Sequence, residues 1–288
     1  MLPQPEPFTP ILDTLSNNTL TEEDCLDHHT FAILMHGDSP HVKNCIESLL
    51  NQSIRSKVIL VSSTPSDFQR RLADKFELPL HINPAHNGIA QDWNFAKALP
   101  DTLYITLAHQ DDEYAENYTE CMLEALSQHQ DALICFSDYR HHGLKKKHPP
   151  LLWIKKAILM GCYGFGVSGY KLRSRFFKRL LIGFANPICC PSVTYHRNNT
   201  ASIKFNPDFR VNLDWKYWID LAAIHGSFIY VPKNLLTYRA HDETSTNQAL
   251  ASGRRQQEDK QCFELLWPKP LAWLLSKLYS LGYSEIVR

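Results

Sequence analysis

LYITLAHQDD, residues 103–112, sets a buried-type strand directly against two carboxylates. Residues 103–108 are mostly apolar and lack the strict alternation of a half-exposed strand, so both faces are expected to be covered. Runs of the same kind flank it: FAILM (31–35), VILVSS (58–63), a short stretch around Leu80–Ile82, and ALICFSD (132–138). Helical patterns fill the gaps. Residues 41–52 place Val42, Cys45, Ile46 and Leu49 on one face, and further helices are expected over 66–76, 88–99 and 116–128. The β-α-β-α-β order predicts an α/β domain with a mostly parallel central sheet and helices on both faces. In open sheets of this class the ligand crevice lies beyond the carboxyl ends of the strands. The polar residues at those ends, 36–39, 62–67, 109–112 and 137–139, are therefore the candidate site.

The whole chain has 288 residues, with 30 Lys and Arg against 30 Asp and Glu. Zero formal charge removes global attraction to nucleic acid or acidic membranes as the default. A chain of this length buries roughly 75% of its unfolded surface, enough for one large domain. The eight cysteines form no C-x-x-C pair, and Cys121 and Cys135 lie in apolar runs. They are expected to be reduced, buried thiols of a cytoplasmic protein. The N-terminus has neither a basic n-region nor a long apolar h-region, so no signal peptide is expected, and no stretch has the length of a membrane span.

The pattern divides the chain into a Pro-rich, then acidic leader (1–29), a first half (30–138), a second half (139–249) and a helical tail (250–288) broken at Pro268–Pro270. The second half opens on a segment, 139–207, that contains no Asp or Glu. Lys145, Lys146, Lys147, Lys155, Lys156 and the Lys/Arg-Phe cluster 171–179 alternate there with aromatic and apolar groups, including Trp153, Phe176 and Phe177. It reads as a basic helical insertion. Such a surface suits an anionic membrane, a lipid-linked acceptor carrying diphosphate, or RNA; alternatively its charges pair with Glu22, Glu23 and Asp24 of the leader. Residues 214–225 and 228–232 read as a helix and a strand. The tail helices, with Trp267, Trp273, Leu274, Leu275 and Tyr279, are expected to pack or to form a homodimer surface.

Four constellations carry chemistry. Asp111 and Asp112 at a strand end suit a hard divalent cation, or equally a solvated turn before a helix. Asn87-Gly88 leads into a helix carrying Asp92, Trp93 and Asn94, so main-chain N–H groups there could meet a ligand. Asp214, at a helix start among Trp215, Tyr217 and Trp218, is either a cap or a base with a raised pKa. Tyr238-Arg239-Ala240-His241 ends the last strand.

In this order the motifs Phe31–Pro40, Val58–Asp67, Asn87–Asn94, His109–Asp112, Asp214–Trp218 and Tyr238–His241 resemble a family 2 glycosyltransferase of the GT-A fold. The resemblance spans residues 30–245. It implies that Asp111 is the metal-binding Asp, holding Mg2+ or Mn2+ on a nucleotide-diphosphate sugar, with His241 a further ligand to metal or diphosphate. Asp112 supports the metal or touches the donor sugar, and the turn of His36, Gly37, Asp38 and Ser39 passes beneath the nucleotide. Asn87, Gly88, Asn94 and His109 complete the donor side, and Asp214 is the general base for an acceptor hydroxyl. The implied reaction is inverting transfer from a UDP-, GDP- or dTDP-linked sugar to a glycan or polyprenyl-linked acceptor, in bacterial surface polysaccharide synthesis at the inner face of the membrane. Two positions depart from the family pattern. His109 replaces the first Asp of Asp-x-Asp, and Ser62-Ser63 replace the Asp-Asp of the second strand end, where an Asp reads the base; Ser63 remains as a contact. The alternatives are a GT-A-like binding protein without turnover and a nucleic-acid binder using the basic segment.

Overall fold

The computed structural model describes residues 26–85, 88–142, 150–164, 170–239 and 253–281, with side chains from 154 onward in the third stretch. The Lys145–Lys147 run, Trp153, the acidic leader, Asn87 and His241 lie outside the described residues or side chains.

Strands β1 (His29–Met35), β2 (Lys57–Ser62), β3 (Leu80–Ile82) and β4 (Tyr104–His109) run parallel, as expected. The joining helices are α1 (Val42–Leu50), α2 (Asp67–Phe76) and α3 (Ile89–Ala98). After β4 come β5 (Glu113–Tyr114), α4 (Tyr118–Ser127) and β6 (Ala132–His142). The second half adds α5 (Pro150–Gly164), β7 (Lys171–Leu172), α6 (Arg175–Gly183), β8 (Val193–His196), α7 (Leu213–Ala223) and β9 (Ser227–Arg239). Helices α8 (Arg254–Leu266) and α9 (Lys269–Leu281) follow, broken where Pro268 and Pro270 deny the backbone its N–H donors.

The sheet order is β3-β2-β1-β4-β8-β6-β9-β5, with β7 pairing with β9. Each face has its own core. Phe31, Ile33, Met35 and Leu60 meet Val42, Ile46 and Leu49 of α1 on one side. Ala32, Val61, Ile105 and Leu107 meet Trp93 of α3 and Trp215 and Trp218 of α7 on the other. The unalternating strands are explained by this double cover. The described cysteines carry no disulfide, and all except half-buried Cys189 are buried. Among the described residues no helix is long and apolar enough to cross a membrane.

The 139–207 segment is more than an insertion. Its strand β8 lies antiparallel between β4 and β6, so the two halves share one sheet. Several of its basic groups are structural. Lys178 is fully buried and donates to the carbonyls of Ile224 and Gly226, each at 2.8 Å, and of Leu221 at 3.4 Å, closing the end of α7. Lys171 pairs with Asp131 at 2.8 Å and Lys156 with Asp138. Arg173, Arg175, Phe176 and Phe177 remain exposed. Gly226 adopts φ +123°, and a Cβ there would stand 2.6 Å from Leu133 Cγ, so the turn into β9 requires glycine. Strand β9 runs well past the expected 228–232 and carries Arg239 to the carboxylates after β4.

Candidate active site

The parallel register aligns the strand ends. Leu34 is opposite His109 and Met35 opposite Ser62, so His36, Ser63 and Gln110 emerge along one edge. Gln110 clamps the first turn: its Oε1 accepts from His36 N–H at 3.1 Å and its Nε2 donates to His36 O at 2.9 Å. Gly37 supplies the positive φ, +61°. Gln69 donates to Gly37 O at 2.8 Å and Ser66 Oγ to Asp38 at 2.6 Å, holding the turn against the start of α2. Ser39 Oγ donates to Asp111 Oδ1 at 2.5 Å. The turn His36–Ser39 and the carboxylates after β4 are thus one assembly.

Asp112 is 1% exposed. Its Oδ1 accepts the Arg239 N–H at 3.0 Å, while its Oδ2 is buried with no hydrogen-bond partner among the described residues. Burial pushes its carboxyl up to about 8, against the pull of that N–H. Arg239 also donates through Nε to Asp111 O at 3.3 Å and through Nη2 to Glu113 at 2.5 Å. Burial brings His109 down to about 4, so the imidazole is neutral, and its Nε2 has no hydrogen-bond partner among the described residues. The ring lies 5.3 Å from Trp93.

At the end of β2, Ser63 Oγ donates to Asp92 Oδ2 at 2.7 Å and Asn83 Nδ2 to Asp92 Oδ1 at 2.7 Å. A carboxylate therefore stands at this strand end after all, supplied by α3. Gly88 begins α3 at φ +107°. Asn94, expected on the donor side, bonds the main chain of Phe205. Its amide donates to Phe205 O at 2.9 Å and accepts from Phe205 N–H at 2.8 Å, clamping the loop before α7.

Asp214 lies in the first turn of α7, whose N-cap position is Asn212. The main-chain N–H groups before that helix go to Glu258 on α8, from Arg210 at 3.0 Å and from Val211 and Asn212 at 2.9 Å each. The Asp214 carboxylate is oriented separately, accepting Asn186 Nδ2 at 2.8 Å and Trp215 N–H at 2.7 Å. Burial raises its pKa, opposed by Arg255, these two hydrogen bonds and Lys155. This is the environment of a carboxylate base. Cys189 and Tyr238 link the two acidic groups: both feel the charges of Asp112 and Asp214.

No group of three His, Cys, Asp or Glu side chains is placed to hold a metal among the described residues. A cation bridging two phosphates needs only one or two protein carboxylates, the rest coming from phosphate and water. The Asp111 carboxylate and the orphaned Asp112 Oδ2 are hard oxygen donors at the strand end, and they fit such an ion. Sequence reasoning passed over four residues that the tertiary structure brings in. Asp92 and Arg239 lay inside quoted motifs, whereas Asn186 and Glu258 carried no local signal.

The family described as Glycosyl transferase family 2 matches residues 30–195. No curated protein matches the chain. S. aureus TarS 1–349 in complex with UDP-GlcNAc is similar in structure, with TM-score 0.59 and 10% identity over 89% of this chain and 72% of that one. The mannosyltransferase PcManGT from Pyrobaculum calidifontis, in complex with GDP-Man and Mn2+, gives TM-score 0.59 and 12% identity over 89% and 75%. Glucosyl-3-phosphoglycerate synthase from Mycobacterium tuberculosis, with Mn2+, UDP and glucosyl-3-phosphoglycerate, gives 0.55 and 12% over 85% of each chain. The family match spans more than half of the 288 residues and the structural neighbours share the architecture: the chain belongs to glycosyl transferase family 2 and has the GT-A fold.

Proposed function

We propose that the protein is a metal-dependent, inverting glycosyltransferase that moves a sugar from a nucleotide-diphosphate donor to a hydroxyl of a glycan or lipid-linked acceptor. The observation that carries this reading is Asp214. Its carboxylate is held by Asn186 Nδ2 and the Trp215 N–H, in a setting that raises its pKa. Such a group accepts the proton of an acceptor hydroxyl as that oxygen attacks the anomeric carbon from the face opposite the leaving diphosphate. Inversion follows from that single displacement.

On the donor side, the turn His36–Ser39 and the Ser63–Asp92 pair line the edge where the nucleoside lies. Asp111 and Asp112 would hold Mg2+ or Mn2+, and such an ion when bound neutralises charge on the departing diphosphate. Arg239 holds the Asp112 carboxylate through its main-chain N–H and the Asp111 main-chain carbonyl through Nε. The lowered pKa and unpartnered Nε2 of His109 support a role as hydrogen-bond partner for the donor in place of an acid. His241 is retained as a further ligand on the strength of the family pattern. The exposed Arg173, Arg175, Phe176 and Phe177 support peripheral contact with an anionic membrane through 145–179, where a polyprenyl-linked acceptor for surface polysaccharide would reside. The exposed Trp273, Leu274 and Leu278 of α9 support a homodimer.

Titration calorimetry with UDP, GDP and dTDP, each with and without Mn2+, tests the reading. Metal-dependent binding of one nucleotide, lost in Asp111→Asn, is expected. A folded protein that binds none of the three overturns it and leaves a GT-A scaffold without turnover.

A further inference from the structure

The ends of β2 and β3 and the first turn of α3 meet in one polar cluster. Ser62 lies opposite Ile82 in the sheet, so Ser63 and Asn83 emerge side by side. Ser63 Oγ donates to Asp92 Oδ2 and Asn83 Nδ2 to Asp92 Oδ1, each at 2.7 Å. Asn83 is itself pinned: its N–H donates to Ser62 O at 2.9 Å, and its Oδ1 accepts the Ala85 N–H at 3.1 Å. Ser63 and Asn83 are buried, whereas the Asp92 they hold is half-buried and open to a ligand. A carboxylate has about four lone-pair sites and donates nothing when ionised. Ser63 and Asn83 occupy one on each oxygen, which leaves acceptor capacity on both.

From β1 the chain builds outward through β2 and β3, then returns to the other side of β1 for β4. The crevice of an open sheet lies at such a switch point, here between β1 and β4. Asp111 stands on its β4 side. The end of β2 lies two strand spacings from β4, roughly 10 Å. The turn His36–Ser39 spans that gap. Ser39 holds Asp111 at one end, and at the other the Gly37 N–H donates to Thr64 Oγ1 at 3.4 Å, next to Ser63. Asp214 belongs to the second half of the chain, whose strand β8 flanks β4 on the opposite side. A donor with its diphosphate at Asp111 and its sugar toward Asp214 therefore has its nucleoside directed over β1 to the end of β2.

We infer that Asp92 reads the nucleobase of the donor and selects a base with a ring N–H on its pairing edge: uracil, thymine or guanine. This rests on the transferase reading. Uracil and thymine offer N3–H to one carboxylate oxygen, and guanine offers N1–H and its amino group to both. In cytosine and adenine the matching ring nitrogen is a bare acceptor, so its lone pair faces the carboxylate even where the amino group is bonded. A site built around a hydrogen bond rejects strongly the analogue that cannot make it, because the site's own polar group is left unpaired. The carboxylate reaches the edge from α3, so serines at 62 and 63 do not abolish base selection.

The test is titration calorimetry of the full chain with Mn2+, as wild type, Asp92→Asn and Asp92→Ala, with thermal unfolding to verify the fold of each. The ligands are UDP, dTDP, GDP, CDP and ADP, together with N3-methyl-UDP and N1-methyl-GDP. Wild type should bind UDP, dTDP or GDP at least ~10-fold more tightly than CDP and ADP, the low end for a hydrogen bond to a charged group. Methylation of the ring nitrogen should cost a similar factor in wild type and much less in Asp92→Ala, where no acceptor is left to lose. In Asp92→Asn the amide oxygen keeps the Asn83 bond and the Ser63 hydroxyl reverses to accept, while the second amide N–H meets the base. CDP should then gain on the preferred nucleotide. Three results overturn the role of Asp92 and spare the transferase: metal-dependent binding with no preference against CDP and ADP, a methylation cost as large in Asp92→Ala as in wild type, or a folded Asp92→Asn with no shift toward CDP. A folded wild type that binds none of the nucleotides overturns both.

Discussion

Ser63, the last polar residue of the β2 edge, donates its hydroxyl to Asp92 of α3 at 2.7 Å. The acid that the family places on the second strand end is thus replaced by a hydroxyl here, and a carboxylate reaches the same point from the neighbouring helix. Asn83 holds the other oxygen at 2.7 Å, so Asp92 is oriented from two sides.

This pairing predicts a charge conflict. Ser63→Asp would set two carboxylates within hydrogen-bond distance and destabilise the protein by about 1–3 kcal/mol at neutral pH. Adding Asp92→Ser should recover most of the loss. A double-mutant cycle by urea denaturation measures it, and additive effects would refute a direct contact.

Asn186 donates to the ionised form of Asp214, so its loss should raise the Asp214 pKa further. A base must be deprotonated, so activity rises as pH passes through that pKa. Asn186→Ala is expected to move the acid limb of the pH–rate profile to higher pH, with a smaller change at the plateau. Asp214→Asn should lower transfer by roughly 10²–10⁴-fold while donor binding persists. An unmoved acid limb in Asn186→Ala would remove Asp214 from the role of base.

Lys178 tests the buried charge at the end of α7. Burial, then Arg175, lowers its pKa from 10.5 to about 8. Between those values the unfolded chain binds more protons than the folded one, so stability from this group increases with pH across about 8 to 10.5. Wild type should therefore gain on Lys178→Met over that window, by up to about 1.4 kcal/mol per pH unit. At pH 7 the variant leaves the Ile224 and Gly226 carbonyls unpaired and should lose about 2 kcal/mol. Denaturant midpoints at pH 7, 9 and 10 report both effects; a difference that shrinks with pH contradicts them.

Glu258 is 2% exposed and takes three main-chain N–H groups before α7. Burial alone would raise its pKa, but those N–H groups and Arg254 outweigh it and lower it. Its stabilisation is present above the unfolded value of 4.5 and is lost as pH falls through the folded one. Glu258→Ala should cost about 3 kcal/mol and displace Asp214, seen as a lower Tm together with reduced transfer. A variant with unchanged Tm would show that the helix start does not depend on this cap.

The strand ends were readable because parallel strands covered on both faces leave continuous apolar runs, and the polar residues that stop them mark the crevice. Asp111 and Asp112 were singled out that way, whereas Asp214 was singled out at a helix start among aromatic residues. The bond of Asn94 to the Phe205 main chain was not legible, because an Asn on a helix looks the same whether its amide meets a ligand or a distant main chain. Strand β8 escaped notice because VTYH is four residues long and lies in a segment dominated by basic and aromatic groups.

The sequence by itself determined the layered α/β architecture, its helices and the order of the motifs, since these follow from periodicity and from which residues end each apolar run. Only the tertiary structure decided which groups face one another. Asp92 meets Ser63 across a helix and a strand, Glu258 reaches α7 from the tail, and Arg239 arrives at Asp112 on a strand 127 residues further along the chain. The physical reason is that hydrogen bonds and charge coupling act over a few ångströms in space, whereas local patterning records only neighbours along the chain.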